Sequence, residues 1–70
     1  RDVTVVQAKA RRLGMPLMGQ CLFSRDLLRS LGASTVRSVA LCTADDLALR
    51  PLLERHDDCF VQVVPAEQLA

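Results

Sequence analysis

Apolar and polar positions along this chain recur with two different periods, and the changes of period predict its elements. The segment 36–43, VRSVALCT, contains a continuous apolar run and predicts a strand that is apolar on both faces. Such strands belong inside parallel sheets covered by helices. A second β-branched run at 59–64, ended by Pro65, predicts another strand.

The first thirteen residues fit two interpretations. Residues 3–6, VTVV, have strand propensity. Apolar residues at positions 3, 6, 10 and 13 instead fall on one face of a helix, which Asp2 can cap and Gly14 can end. We favour a helix over 3–13. The alternative, a strand at 3–6, adds a member to the sheet and changes the first crossover.

Glycines mark the predicted boundaries of the next elements of the chain. The apolar run 15–18, MPLM, lies between Gly14 and Gly19 and predicts a short strand with Pro16 near its beginning or at a sheet edge. A turn is predicted at Gly19 and Gln20. Ser24 is then suited to cap a helix whose apolar stripe at 27, 28 and 31 ends at Gly32.

Turn and cap residues separate the remaining elements. Residues 43–46, TADD, predict a turn that caps a helix over 47–53. Pro51 either kinks this helix or lies in its first turn. A polar turn at 56–58 precedes the strand 59–64, and residues 66–70 begin a further helix.

The resulting order is helix, strand, helix, strand, helix, strand. Strands joined through helices form right-handed crossovers and a parallel sheet. The sequence therefore predicts one α/β domain over 1–70, a Rossmann-like parallel sheet with alternating helices. The domain is expected to be incomplete, and the absence of an initiator Met suggests that the chain was cut from a longer one.

Composition narrows the class of protein. Half of the 70 residues are apolar, but Trp and Tyr are absent, so the predicted core is aliphatic. The net charge is +1 and the basic residues are dispersed, which argues against nucleic acid as a partner. Three unpatterned cysteines are expected to be reduced cytoplasmic thiols that pack as small apolar groups.

Catalytic and metal chemistry have little support in the sequence. The single histidine, His56, lies in a run with Asp57, Asp58 and Cys59, but neighbouring side chains point in different directions. No second group of ligands completes a tetrahedral metal site. No base accompanies the cysteines. We therefore expect neither an enzyme nor a metal site.

The order of motifs resembles the second half of the Rossmann domain of regulators of potassium conductance and TrkA-type potassium-uptake proteins. The resemblance is carried by a Leu-Gly pair at 13–14, the segment 15–18, the turn 19–21, the helix 27–32 and the strand with its acidic end at 39–46. In that family the nucleotide lies across the carboxyl ends of the strands. The resemblance assigns two turns to it, made of Gly19, Gln20, Cys21, Thr43, Ala44 and Asp45.

The resemblance implies a noncatalytic, nucleotide-sensing regulatory segment. It also implies NAD or an adenine nucleotide as ligand of the full domain, a homo-oligomer, and a potassium channel or transporter as partner at the cytoplasmic face of the membrane. The G-x-G-x-x-G turn is missing and Gln20 replaces the family's Asp. We therefore expect no measurable dinucleotide binding by this chain alone. The alternatives are a ligand-free α/β interaction or scaffold module, and a piece of a Rossmann enzyme.

Overall fold

The computed structural model of the chain describes residues 1–69. Three parallel strands alternate with two helices, in the spatial order β1-β2-β3. The α/β class and the parallel sheet with alternating helices are confirmed, consistent with a Rossmann-like fragment. The elements are β1 (Asp2–Ala8), α1 (Met15–Ser30), β2 (Thr35–Cys42), α2 (Leu49–Glu54) and β3 (Cys59–Val63), followed by a 3₁₀ turn at Ala66–Gln68.

The strand predicted at 36–43 is confirmed as β2, the central strand. Its side chains at 36, 38, 40 and 42 are buried beneath the helices, whereas Val39 and Leu41 on the opposite face are only half-buried. Both helices contact the same face of the sheet. The expectation that β2 is buried on both faces is therefore wrong for the described residues.

The helix predicted over 3–13 is wrong, and the alternative strand is correct. Side chains along β1 alternate between exposed and half-buried, which is the two-residue period of a strand. β1 pairs with β2 in parallel, with Val3 beside Val36. Val3 and Val6, which would share one face of a helix, lie on opposite faces of the strand, and pairing with β2 decides between the two.

The strand predicted at 15–18 and the turn at Gly19 and Gln20 are also wrong, because both segments lie in α1. Pro16 occupies the first turn of α1, where its missing N–H removes no helical hydrogen bond. Leu17 and Cys21 are one helical turn apart and both are buried against the sheet. The helix predicted after a cap at Ser24 is the second half of α1, so Ser24 lies inside the helix and does not cap it.

The second half of the chain follows its predicted order. Pro51 lies in the first turn of α2, and Leu53 packs into the core. The strand predicted at 59–64 is confirmed as β3. The helix predicted over 66–70 is reduced to the 3₁₀ turn, and its last residue lies outside the described residues.

The core lies between the sheet and the two helices. Its buried residues are aliphatic apart from Ser38 and the thiols of Cys21, Cys42 and Cys59. Ser38 Oγ donates a hydrogen bond to the backbone oxygen of Cys21 at 2.7 Å, so this buried hydroxyl is satisfied. No helix within residues 1–69 combines the length and apolar character needed to cross a membrane.

The position of Gly19 inside α1 predicts a stabilising substitution. No atom outside its own helix lies within 4 Å of the place where a Cβ would stand. Gly19→Ala is therefore expected to raise the free energy of unfolding by about 0.5–1 kcal/mol, measured by urea denaturation. Gly32→Ala is the control, because Gly32 has φ +95° and the same change there should destabilise. A loss of stability in Gly19→Ala would contradict the helix.

Candidate functional site

The carboxyl ends of the three strands lie together at one end of the sheet, and two loops begin there. The β1–α1 loop spans residues 9–14 and the β2–α2 loop spans residues 43–48. Backbone hydrogen bonds join them, from Leu13 N to Ala44 O at 3.0 Å and from Thr43 N to Arg11 O at 3.1 Å. The two loops therefore continue the ladder of the sheet and hold one another in place.

Three basic side chains belong to the β1–α1 loop. Lys9, Arg11 and Arg12 are exposed and line a cavity of about 360 Å³ together with Gly14 and Pro16. None of the three forms an ion pair with another residue of the described chain, whereas Arg25, Arg29 and Arg50 are paired with carboxylates. The loop is thus a cluster of uncompensated positive charge.

The N-terminus of α1 adds to this positive potential. Gly14 precedes the helix in an extended conformation, and no side chain caps it. The first turn of the helix contains no acidic residue. The partial positive charge at the beginning of a 16-residue helix is therefore directed toward the same loop. Anions are stabilised at such helix ends.

Three of the six predicted site residues lie where they were expected. Thr43, Ala44 and Asp45 follow β2 directly, and Ala44 pairs with Arg12 of the neighbouring loop. They are therefore adjacent to the basic cluster. This placement could be predicted because the strand before it has a clear apolar run.

Asp45 already has partners within the chain. Its Oδ2 accepts from Arg50 Nη1 at 2.9 Å, and its Oδ1 accepts from Asp46 N at 2.8 Å. The hydrogen bond from Arg50 holds the pKa of Asp45 below its ordinary value. The neighbouring Asp46 accepts hydrogen bonds from the backbone N–H groups of Ala48 and Leu49. Asp46 therefore caps the turn that leads into α2, whereas the N-cap residue of α2, Ala48, has no side-chain cap.

The other three predicted site residues are not at a strand end. Gly19, Gln20 and Cys21 lie in the first half of α1. Cys21 is completely buried, so its side chain cannot contact a ligand in this structure. Gly19 and Gln20 line a separate groove of about 860 Å³ beside β1, together with Gln7. The prediction of a turn at 19–21 is therefore wrong, and ligand contact by Gly19 and Gln20 stays a prediction.

The buried cysteines have the properties of core residues. Burial, with a smaller contribution from neighbouring Cys21, raises the pKa of Cys59 to about 11. Burial likewise raises the pKa of Cys42. Both thiols are protonated at neutral pH, which is unfavourable for nucleophilic attack. Within residues 1–69, no group of three or more His, Cys, Asp or Glu residues is arranged to hold a metal ion.

Sequence reasoning missed the basic loop because the helix predicted over 3–13 included it. At the end of that predicted helix, the positive charges of Lys9, Arg11 and Arg12 would interact favourably with the negative end of the helix dipole. The signal that could have identified them is the strand propensity of 3–6, followed by basic residues and Gly14 before a helical pattern. Comparisons of the chain with protein-family models, with curated proteins and with solved structures give no match.

Proposed function

We propose that this chain is a noncatalytic module that binds a nucleotide through its phosphate groups at the β1–α1 loop. The observation that carries the proposal is the cluster of Lys9, Arg11 and Arg12, unpaired among the described residues, at the beginning of α1. Phosphate oxygens accept hydrogen bonds from guanidinium groups and are attracted by a helix N-terminus. The other anion-binding feature of nucleotide folds, a glycine-rich turn, is replaced here by side-chain charge.

The topology supports the same class of ligand. A β-α-β-α-β unit with parallel strands in sequence order is the mononucleotide-binding half of a doubly wound fold. In such a half, phosphate lies at the first βα turn and an acidic residue near the end of the second strand binds the ribose. Asp45 follows β2, and Thr43 beside it offers a hydroxyl. Phosphate and ribose groups therefore have adjacent candidate partners.

A regulatory role follows from the resemblance to potassium-conductance regulators and remains a prediction, as does a membrane channel or transporter as partner. A ligand regulates such a domain when it binds one arrangement of the domain more tightly than another. Binding of a nucleotide at the β1–α1 loop does not depend on which protein the domain controls.

Calorimetric or NMR titration of the chain with ADP, ATP, NAD and inorganic phosphate tests the proposal. We expect ADP and ATP to bind with a Kd of about 0.1–1 mM, and more weakly at high salt. A dinucleotide spans two such halves and the described chain contains one, so NAD is expected to give no measurable binding under the same conditions. The double substitution Arg11→Ser with Arg12→Ser should weaken ADP binding at least tenfold.

The matched control is the double substitution Arg37→Ser with Arg55→Ser. It removes the same charge from exposed positions outside the two loops and should change the Kd less than twofold. Equal losses in the two double variants would show a nonspecific charge effect and would overturn the site. Absence of ADP binding at millimolar concentration would overturn the nucleotide class.

A second candidate function, an α/β interaction or scaffold module, is supported by the open face of the sheet. Val6, Val39 and Phe60 lie side by side across the three strands on the face opposite the helices. Val6 and Phe60 are exposed. All-parallel sheets are found almost always with both faces covered. A chain that binds no anion in the titration but whose exposed Val6 and Phe60 side chains show NMR shift changes in a complex would favour this function.

A further inference from the structure

The two edges of the sheet differ in how their backbone groups are satisfied. Along β3, the groups of Val61 that point away from β2 bind side chains of α2. Val61 N donates to Glu54 Oε2 at 3.2 Å, and Val61 O accepts from Arg50 Nη2 at 3.3 Å. Cys59 N donates to His56 O. Side-chain and loop partners therefore close the β3 edge.

The β1 edge has no such cover within the described residues. Lys9 N donates to Leu41 O, and Arg1 O accepts from Ser34 N. The backbone N–H and C=O groups of the odd-numbered residues of β1 therefore point toward β2. The N–H and C=O groups of the even-numbered residues consequently point outward. They make none of the hydrogen bonds found within residues 1–69, and they belong to Asp2, Thr4, Val6 and Ala8.

An apolar stripe of α1 follows this free edge. Phe23 and Leu27 of α1 and its C-cap residue Leu31 are spaced one helical turn apart, and all three are largely exposed. Phe23 and Leu27 line the 860 Å³ groove beside Gln7, and Leu31 lines a second groove beside Val3. One added strand would therefore cover the unpaired backbone and the base of the stripe together.

We propose that a second copy of this chain occupies the β1 edge, with its β1 antiparallel to the first. The two sheets would join into one of six strands, with both helix layers on the same face. A register centred on Val5 uses all four outward-facing residues, because it pairs Thr4 with Val6 and Asp2 with Ala8 of the other copy. Each such pair exchanges two backbone hydrogen bonds.

The side chains of β1 in a second copy are apolar on the face that would meet the apolar stripe of α1. Val3 and Val5 face the helix side of the sheet, so the second copy presents two apolar side chains to the stripe of α1. Because α1 contacts both β1 and β2, the two α1 helices of the dimer would be about 10–15 Å apart, at a strand spacing of about 4.8 Å. Phe23 and Leu27 from both copies fill a gap of that width.

Charge and size set the expected strength of the dimer. A net charge of +1 produces little repulsion between copies. The seven residues of β1 extend about 23 Å, and the smallest dimension of the molecule is 15 Å. This side is smaller than an interface of about 800 Å² per partner, so we expect a Kd of about 10–100 µM. The dimer does not depend on nucleotide binding.

Sedimentation equilibrium and amide hydrogen exchange of the whole chain test the dimer. The wild-type chain should reach a dimer mass as its concentration rises through about 10–100 µM. Over the same range, exchange of the Thr4, Val6 and Ala8 amides should slow, while exchange of the Val5 and Gln7 amides should not change. A chain that stays monomeric at 1 mM would overturn the proposal.

Val6→Pro is the most selective variant. It removes an outward N–H from an edge strand, where proline is tolerated, and leaves the bonds between β1 and β2 intact. We expect its dimer Kd to rise at least tenfold with unchanged circular dichroism. If this variant fails to fold, the double substitution Phe23→Ser with Leu27→Ser should give the same loss of dimer.

Leu47→Ser is the matched control for the apolar changes. Leu47 is the most exposed of the large apolar side chains, but it lies in the β2–α2 loop away from the β1 edge. Its dimer Kd should stay within twofold of the wild-type value. Equal weakening by Leu47→Ser and by the Phe23 and Leu27 substitutions, or unchanged dimerisation of folded Val6→Pro, would overturn the assigned surface.

Discussion

Replacing Leu17 by Ala is expected to lower the free energy of unfolding by about 2–5 kcal/mol. Leu17 is 3% exposed and packs in the core between α1 and the sheet. Its truncation removes apolar burial and leaves a cavity that the neighbouring side chains fill only in part. A domain of this size has a total stability of about 4–10 kcal/mol, so Leu17→Ala should remove roughly half of it. Urea denaturation followed by circular dichroism measures the change.

Met15→Ala is the control for this substitution and also distinguishes helix from strand. Met15 is 67% exposed on the same helix, and its truncation should change stability by less than about 0.5 kcal/mol. In a helix, two residues separated by one position point about 200° apart, whereas in a strand they share a face. Similar losses from Met15→Ala and Leu17→Ala would contradict the α1 helix.

Replacing Leu53 by Ala is expected to have an effect of comparable size, about 2–5 kcal/mol, for a different reason. α2 has six residues, too few for a helix to be stable without tertiary contacts. Leu53 is its buried side chain and anchors it to the core beside β3. Loss of this anchor should release α2 as well as reduce the core.

Thiol reactivity measures that release separately from global unfolding. In the native chain Cys59 is buried, and it should react slowly with an uncharged thiol reagent. In Leu53→Ala, the rate at which Cys59 reacts should rise at least tenfold, even in the folded fraction. Leu52→Ala is the control, because Leu52 is exposed on the same helix. A reaction rate for Leu53→Ala that matches the Leu52→Ala rate would show that α2 does not cover Cys59.

The sequence predicts the class of fold and two of its three strands because their signals agree with one another. In β2 and β3, β-branched content, apolar pattern and flanking turn residues all indicate a strand. Residues 3–13 carry two compatible periods, and pairing with β2 selects the strand. That choice depends on a contact between distant parts of the chain, which local pattern cannot supply.

The segment 15–21 shows the opposite failure, in which correct local signals lead to a wrong element. Gly14, Pro16 and Gly19 resemble strand and turn punctuation. In the fold, Gly14 precedes a helix, Pro16 lies in its first turn and Gly19 is carried inside it. Burial of Leu17 and Cys21 against the sheet outweighs the cost of an internal glycine, about 1 kcal/mol relative to alanine.

One of the two loops of the candidate site could be predicted from the sequence, because only the strand before that loop was predicted. The β2–α2 loop with Thr43 and Asp45 follows from a clear strand, so its position at the sheet edge could be predicted. The β1–α1 loop could not be predicted, because assigning residues 9–13 to a helix assigned its basic side chains to a helix end. The two loops differ in this respect because β2 was predicted as a strand and β1 was not.

The parallel arrangement of the strands also has a consequence for synthesis of the chain. Asp2 lies beside Thr35, and Ser38 lies beside Cys59, so every pair of neighbouring strands is separated by a crossover helix. Within residues 1–69 no hairpin is available to nucleate the sheet, and loop closure precedes each pairing. During translation, the valine-rich β1 emerges before its neighbour β2 and cannot pair with it until β2 follows. Protection of residues 3–6 from aggregation is therefore expected to matter during that interval.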